Sequence, residues 1–340
     1  MTTTSKFGRA LAAAAVALCG CGGAGGGAVI GGGIDGSGFV VGPIEGFGSV
    51  VVQGIRFDAA GATVTIEGAP GTEADLRLGM VVSVEGDIDN VTMTGVALAI
   101  DFEDEVEGPV DSIDAAASSF TVLGQIVSVT ATTVFDPPSL SLDSLEDGDP
   151  VEVSGYRTAT DRIRATRVEA VEDFDDIELS GIVRNLDPFA RTFTLSGVAV
   201  DYADAEFDGL DEDSLRNGIE VEVLSSQGIV DGFLIADVVE GEDDDEDRSG
   251  DEAEIEGFVT ALLGDDRFEV GGRRIVRFDG DTQFSNGAAA DLAEDEFVEV
   301  EGIFEDADTI LADEVRFEEG DEDEDDEDDE RGRRGRNGDD

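Results

Sequence analysis

Apolar and polar positions alternate with a period of two through most of residues 38–319. Val82-Ser83-Val84-Glu85, Val151-Glu152-Val153-Ser154, Val221-Glu222-Val223-Leu224 and Val298-Glu299-Val300-Glu301 are the clearest cases. Successive side chains of a strand point to opposite faces, so this pattern predicts strands with one valine face and one polar face. Ser119-Phe120-Thr121-Val122 and Thr192-Phe193-Thr194-Leu195 alternate likewise. Glycine-rich turns separate these runs. No long stretch carries the 3.6-residue apolar period of an amphipathic helix.

The alternating runs recur. The four valine strands start 69, 70 and 77 residues apart, a spacing that marks internal repeats. Upstream of each stands a leucine, then usually a glycine: Leu76 and Gly79, Leu145 and Gly148, Leu215 and Gly218, and Leu292 with Asp295 in place of glycine. This Leu-x-x-Gly stretch reads as one helical turn or a tight loop. The units open at Gly42-Pro43-Ile44, Gly108-Pro109-Val110, Gly181-Ile182-Val183 and Gly257-Phe258-Val259, and turn glycines follow at Gly54, Gly124, Gly197 and Gly271. Five or six short antiparallel strands per unit suffice to curl into a small barrel. The predicted fold class is all-β: four tandem small antiparallel β-barrel (OB-like) repeats, a disordered N-terminal tether and an acidic C-terminal tail. The expected boundaries are 1–20 signal peptide, 21–37 Gly-rich tether, 38–104, 105–173 and 174–240 for the first three repeats, 241–252 acidic linker, 253–319 for the fourth repeat, and 320–340 tail. A unit of seventy residues buries a marginal core alone, so packing between neighbours is expected.

The repeats resemble the bacterial domain-of-unknown-function family 5666, found in tandem in secreted proteins and lipoproteins. Gly42-Pro43-Ile44-Glu45-Gly46-Phe47-Gly48-Ser49-Val50-Val51-Val52-Gln53-Gly54 and Gly79-Met80-Val81-Val82-Ser83-Val84-Glu85-Gly86 carry the likeness best. The third unit departs at Ser225, where the pattern has glycine, and the fourth at Asp295. The resemblance implies a small β-barrel and supplies neither an activity nor catalytic residues.

Charge narrows the function classes. The 340 residues include 82 Asp+Glu and 21 Lys+Arg, a formal net charge of −61, with no His, no Trp and two Cys. Without histidine there is no Ser-His-Asp triad and no imidazole ligand or base. The negative charge argues against nucleic-acid binding, which needs basic surface to neutralise phosphates. Two-carboxylate hydrolysis is chemically open. Yet so many acids make any chosen pair uninformative, and Tyr156 and Tyr202 are the only candidate polar aromatic platforms for a sugar. No enzyme activity and no cofactor are expected.

The first residues read as an export signal: Lys6 and Arg9, then nine apolar residues over 10–18. That run is too short to span a bilayer, which takes about 20 residues, and fits a signal-peptide core. Leu18-Cys19-Gly20-Cys21 resembles the bacterial lipobox, which implies lipidation of Cys21 and a membrane partner through that anchor. An ordinary signal peptide with two incidental cysteines is the alternative. Gly22, where inner-membrane retention would have Asp, implies an outer-membrane location in the cell envelope. Gly31, Gly33 and Gly36 match G-x-G-x-x-G, but no helix pattern follows, so the segment reads as a tether and not a dinucleotide loop.

Residues 242–247 are acidic without interruption, and twelve of residues 318–330 are acids. Such blocks repel themselves and stay solvated. They are read as solubilising tails, as low-affinity Ca²⁺ or Mg²⁺ binders with Asp243, Asp245 and Asp247 as the metal candidates, or as contacts for a protein partner. No EF-hand loop fits, because Arg248 stands where glycine is needed. Asp201, Asp204, Asp208 and Asp211 are a further loop cluster of the kind expected by chance. The leading expectation is a non-enzymatic lipid-anchored envelope protein serving as a scaffold or interaction module. The alternatives are a divalent-cation-binding envelope protein and a carboxylate-based hydrolase.

Overall fold

The computed structural model describes residues 35–89, 91–171, 177–241, 249–306 and 309–317. Cys21, the candidates Asp243, Asp245 and Asp247, the segment read as a signal peptide and the C-terminal tail lie outside the described residues.

The described chain is all-β. Its helical residues are three single 3₁₀ turns, Leu142–Ser144, Glu212–Ser214 and Ala289–Asp291. Each sits immediately before the recurring leucine, at Leu145, Leu215 and Leu292. The turn therefore drops a leucine into the core, where Leu145 and Leu215 are buried.

Five main strands recur in order. In the first repeat they are Asp35–Pro43, Val50–Val52, Ile55–Asp58, Val81–Asp89 and Thr94–Phe102. In the second they are Val106–Asp114, Ser119–Val122, Gln125–Ser128, Pro150–Ala159 and Arg162–Ala170. The third has Ile177–Asp187, Thr192–Leu195, Val198–Asp201 and Glu220–Ser225, with its last strand split into Phe233–Ile235 and Val238–Gly241. The fourth has Glu252–Leu262, Arg267–Val270, Arg274–Arg277, Phe297–Phe304 and Thr309–Phe317.

In the second repeat the pairings run round the unit: first with second, second with third, third with fifth, fifth with fourth, and fourth back to first. The fourth repeat repeats the cycle. The pairing of third with fifth strand is parallel in all four units, so the expectation of wholly antiparallel units is corrected. A parallel pair here follows from the long excursion, carrying the 3₁₀ turn and the fourth strand, between those two strands.

Nor are the repeats discrete beads. Gly38–Val41 of the first repeat pairs in parallel with Glu252–Ile255 of the fourth, which joins those two repeats in one 13-stranded sheet. Glu178 and Leu179 of the third repeat pair with Glu107 and Val106 of the second, giving a 14-stranded sheet. The physical reason is shared burial. The second and third repeats contribute to one continuous core. Phe39 of the first repeat packs in the core of the fourth, 5.6 Å from Phe304 between ring centroids, while its neighbour Val40 fills the core of the first. A strand buried on both faces reads as an unbroken apolar run, here Phe39-Val40-Val41.

The glycine that follows the valine run within each of these strands has a steric cause. A Cβ on Gly86, Gly155 or Gly302 would stand 2.2–2.3 Å from a carbonyl oxygen of the partner strand. All three sit where the register slips by a bulge. At Ser225 the strand stops instead. The Ser225 hydroxyl accepts the amides of Gln227 and Gly228, at 3.2 and 2.9 Å, and the partner strand is broken.

Candidate functional site

The chemistry-bearing residues converge where the repeats meet. The first repeat's last strand ends at Phe102 and the second repeat starts at Val106, so Glu103-Asp104-Glu105 is the connection. Alternation along an extended chain sends Glu103 and Glu105 to one environment and Asp104 to another.

On the first side is an arginine network. Arg157 lies on the fourth strand of the second repeat with its side chain 2% exposed, and its Nε is 2.7 Å from Glu105 Oε2. Its remaining nitrogens donate to Gln125 Oε1 at 2.8 Å and to the carbonyls of Glu105 and Ser180, each at 3.1 Å. Gln125 in turn donates to the Ser196 carbonyl at 2.9 Å. Burial pulls the Arg157 guanidinium below its ordinary pKa, and Glu105 opposes that. The turn between the second and third strands of the fourth repeat delivers Arg273. This side chain reaches Glu105 and Glu103 at 3.3 Å and Glu220 of the third repeat at 2.7 Å. Arg274 also reaches Glu220, at 3.3 Å. Arg184 of the third repeat meets Glu269 of the fourth. Between the second and fourth repeats, Tyr156 donates to Glu256, and Arg164 lies 4.4 Å over the Phe258 ring. The second, third and fourth repeats, with the connection that leaves the first, thus feed one seam of ion pairs.

On the other side is an acidic cluster. Glu67 follows the short strand Thr63–Ile66 with φ +46°, and its Oε1 accepts the Asp104 amide at 2.8 Å. Glu178 and Glu222 stand on paired strands of the third repeat, Glu222 opposite Ser180. The Ser180 hydroxyl donates to Glu222 Oε1 at 3.2 Å. Glu67, Glu178 and Glu222 each offer a carboxylate oxygen, all within 4.8 Å of one another. The second Glu67 oxygen, Oε2, is sealed from solvent and accepts no hydrogen bond. Burial first, then repulsion from Asp104, Glu222 and Glu178, pushes the Glu67 carboxyl well above its usual range. Asp104 is pushed up by burial and then by Glu152, Glu107 and Glu178. Glu222 is pushed up by burial and then by Glu178, Glu103 and Glu240.

Of the residues weighed from sequence, Asp201, Asp204, Asp208 and Asp211 do not converge into this cluster. Asp201 and Asp208 cap local turns through the amides of Ala203 and Gly209. Tyr202 is buried in the core. Sequence reasoning missed Glu67, Asp104, Glu178 and Glu222 because nothing local separates four acids from the other 78. The available signal was position: Asp104 falls in the junction between two units.

A family profile described as Domain of unknown function (DUF5666) matches residues 37–101, 107–169 and 256–316, over half of the chain. The segment holding Ser225 and the broken strand lies outside these matches. A search of curated proteins found no match. A solved structure titled "drosophila Unr CSD456" is 16% identical over 51% of this chain and 83% of its own, with a TM-score of 0.18.

Proposed function

The chain belongs to the family described as Domain of unknown function (DUF5666), and from that premise we propose that it is a non-enzymatic structural scaffold of the bacterial cell envelope. The observation that carries this reading is the seam: buried ion pairs and shared sheets tie the repeats into one body, the property a load-transmitting spacer needs. In this reading each repeat is a small five-stranded barrel of OB-like strand order. Cys21 is lipidated and holds the body at the outer membrane through the glycine-rich tether. The net charge keeps nucleic acid out of the list of partners, and protein partners meet the acidic outer faces.

Expression of the full chain in a diderm bacterium tests it. An acylated Cys21 by mass spectrometry, outer-membrane fractionation, and release by Cys21→Ala support the reading. A soluble protein with an unmodified Cys21 overturns the anchor. Turnover of a substrate, abolished by replacing one Asp or Glu, overturns the scaffold assignment.

A further inference from the structure

We propose that the exposed edge strand Ile229–Val230 of the third repeat joins a second copy of this chain by antiparallel, two-fold strand pairing, with Ile229 facing Ile229. The inference goes beyond the scaffold reading and does not rest on it.

The third repeat departs from the other units at this point. In the first and fourth repeats the fourth strand is paired along both edges. In the third it stops at Ser225, and the chain continues into a hairpin of Ile229–Val230 with Phe233–Ile235. Ile229–Val230 ends the strand order of the 14-stranded sheet, and among the described residues it pairs only with Phe233–Ile235. The turn is Asp231-Gly232, with φ +53° and +90°, the left-handed pair of a two-residue hairpin. Val230 and Phe233 flank that turn and pair with each other. Ile229 therefore aims its N–H and C=O away from the hairpin, at the open edge.

An open edge is a template for another strand, and soluble proteins blunt such edges with charge. This edge carries apolar side chains instead: Ile229 and Val230 are each 44% exposed and Phe233 39%. Residues 224–236 carry one acid and no base, whereas acids make up 82 of the 340 residues. Two copies of so negative a chain repel over most of their surface, and this hairpin is a stretch through which they can approach without meeting carboxylates. The register selects a second copy as the occupant. Residues that bond outward must face each other in an antiparallel ladder. Pairing Ile229 with its own copy meets that condition. It puts Val230 opposite Gly228 of the second copy and Asp231 opposite Gln227, so no acid is set against an acid. The contact is self-complementary and closes as a dimer. The chain already joins units by strand pairing, since Gly38–Val41 pairs with Glu252–Ile255 to merge two repeats in one sheet. A joint this short belongs with the small, transient interfaces, below about 1,200 Å², so the dimer is weak and depends on concentration.

The test is sedimentation equilibrium of the full chain carrying Cys21→Ala, so that no acyl group contributes. A monomer–dimer equilibrium is expected, tightening as NaCl rises from 0.05 to 1 M and screens repulsion between the copies. Ile229→Asp and Ile229→Lys, each alone, remove apolar contact and set like charges against each other. Each should weaken the dimer by about tenfold or more. Their equimolar mixture sets Asp against Lys and should restore a dimer, which requires Ile229 on the two-fold axis. Val91→Asp adds the same charge at an apolar position of the first repeat that is 93% exposed, and should leave the dimer intact. Ile229→Thr, which keeps a β-branched side chain, serves where a charged variant fails to fold, and it too should weaken the dimer. A monomer at every salt concentration overturns the proposal. So does a dimer that the Ile229 variants leave unchanged, that Val91→Asp weakens equally, or that the Asp–Lys mixture fails to restore.

Discussion

Arg157 and Glu105 meet at 2.7 Å with side chains 2% and 7% exposed, a charge pair removed from water at the point where the repeats converge. Replacing Arg157 by Ala strands Gln125 Oε1, takes a donor from the Glu105 and Ser180 carbonyls, of which Ser180 keeps the Ser196 hydroxyl at 2.8 Å, and leaves Glu105 with Arg273 as its other ion-pair partner. Breaking a buried pair by removing one partner costs about 3–5 kcal/mol. Arg157→Ala should therefore lower the unfolding free energy by about that amount in urea titrations. A loss below about 1 kcal/mol would show that the seam contributes little stability.

Much of each unit was legible because the strand signal is local. Val298 and Val300 are fully buried while Glu299 is not, as their alternation predicts. The recurring leucine marked a turn, and Ser225 marked the unit whose strand stops early. The joining of units was not legible, because it pairs Gly38–Val41 with residues more than 200 positions away. Phe39-Val40-Val41 was the one local hint, since a strand with a polar face would not run apolar. Arg157 is in phase with Val151 and Val153, so period two placed it on the valine face, but nothing local named the partners that a buried guanidinium there would need. Its partners are supplied by three other segments. The acid cluster was hidden by number: local patterning cannot mark four carboxylates among 82.

The bulge glycines give a contrast within one repeat. A Cβ on Gly155 would sit 2.3 Å from the Arg164 carbonyl oxygen, whereas one on Gly148 would meet nothing within 4 Å. Gly155→Ala forces backbone atoms apart, and overpacking of this kind costs about 1–3 kcal/mol. Gly148→Ala pays only for φ +92°, about 1 kcal/mol. Denaturation midpoints should fall further for Gly155→Ala; equal losses would refute the steric account of the bulge.

Asp295 occupies the place held by glycine in the other repeats. Its φ is +72°, against +82°, +92° and +95° at Gly79, Gly148 and Gly218. In all four units this residue's amide donates to the opening segment, Asp295 to the Val259 carbonyl at 2.9 Å. Glycine keeps that bond and removes the left-handed penalty. Asp295→Gly should stabilise the chain by about 0.5–1 kcal/mol, read as a higher melting temperature. A decrease would show that the aspartate side chain is needed at this turn.

Glu254 makes stability depend on pH in the direction opposite to ordinary acid unfolding. Its carboxyl is pushed up to about 7, by burial first and then by Glu299 and Glu301, with Arg316 opposing. Between the unfolded value of 4.5 and about 7, the folded chain holds a proton that the unfolded chain has released. Stability is therefore lost as pH rises through that window, by at most about 3 kcal/mol from this residue. Glu67, Asp104 and Glu222 shift in the same direction. Melting temperature should fall from pH 5 to pH 8 in chelator, and Glu254→Gln should flatten the fall. A wild-type curve that rises over this range would refute the assignment.

Salt should raise stability. Acids outnumber bases 82 to 21, so most exposed charges on this chain face others of the same sign. Folding brings them closer, and that repulsion opposes the compact state. The screening length shrinks from about 10 Å at 0.1 M to about 3 Å at 1 M salt. Neighbouring carboxylates then cease to interact at surface spacings. Attractive pairs at the surface, such as Arg277 with Glu305 at 2.6 Å, weaken too, but they are the minority. The pair of Arg157 with Glu105 lies out of solvent and is screened little. Melting temperature in chelator should thus climb steadily with NaCl from 0.05 to 1 M. The seam variant Arg157→Ala should climb in parallel from a lower start, because salt acts on the outside and the substitution on the inside. A flat wild-type curve would mean that surface repulsion is not what limits the stability of this acidic chain.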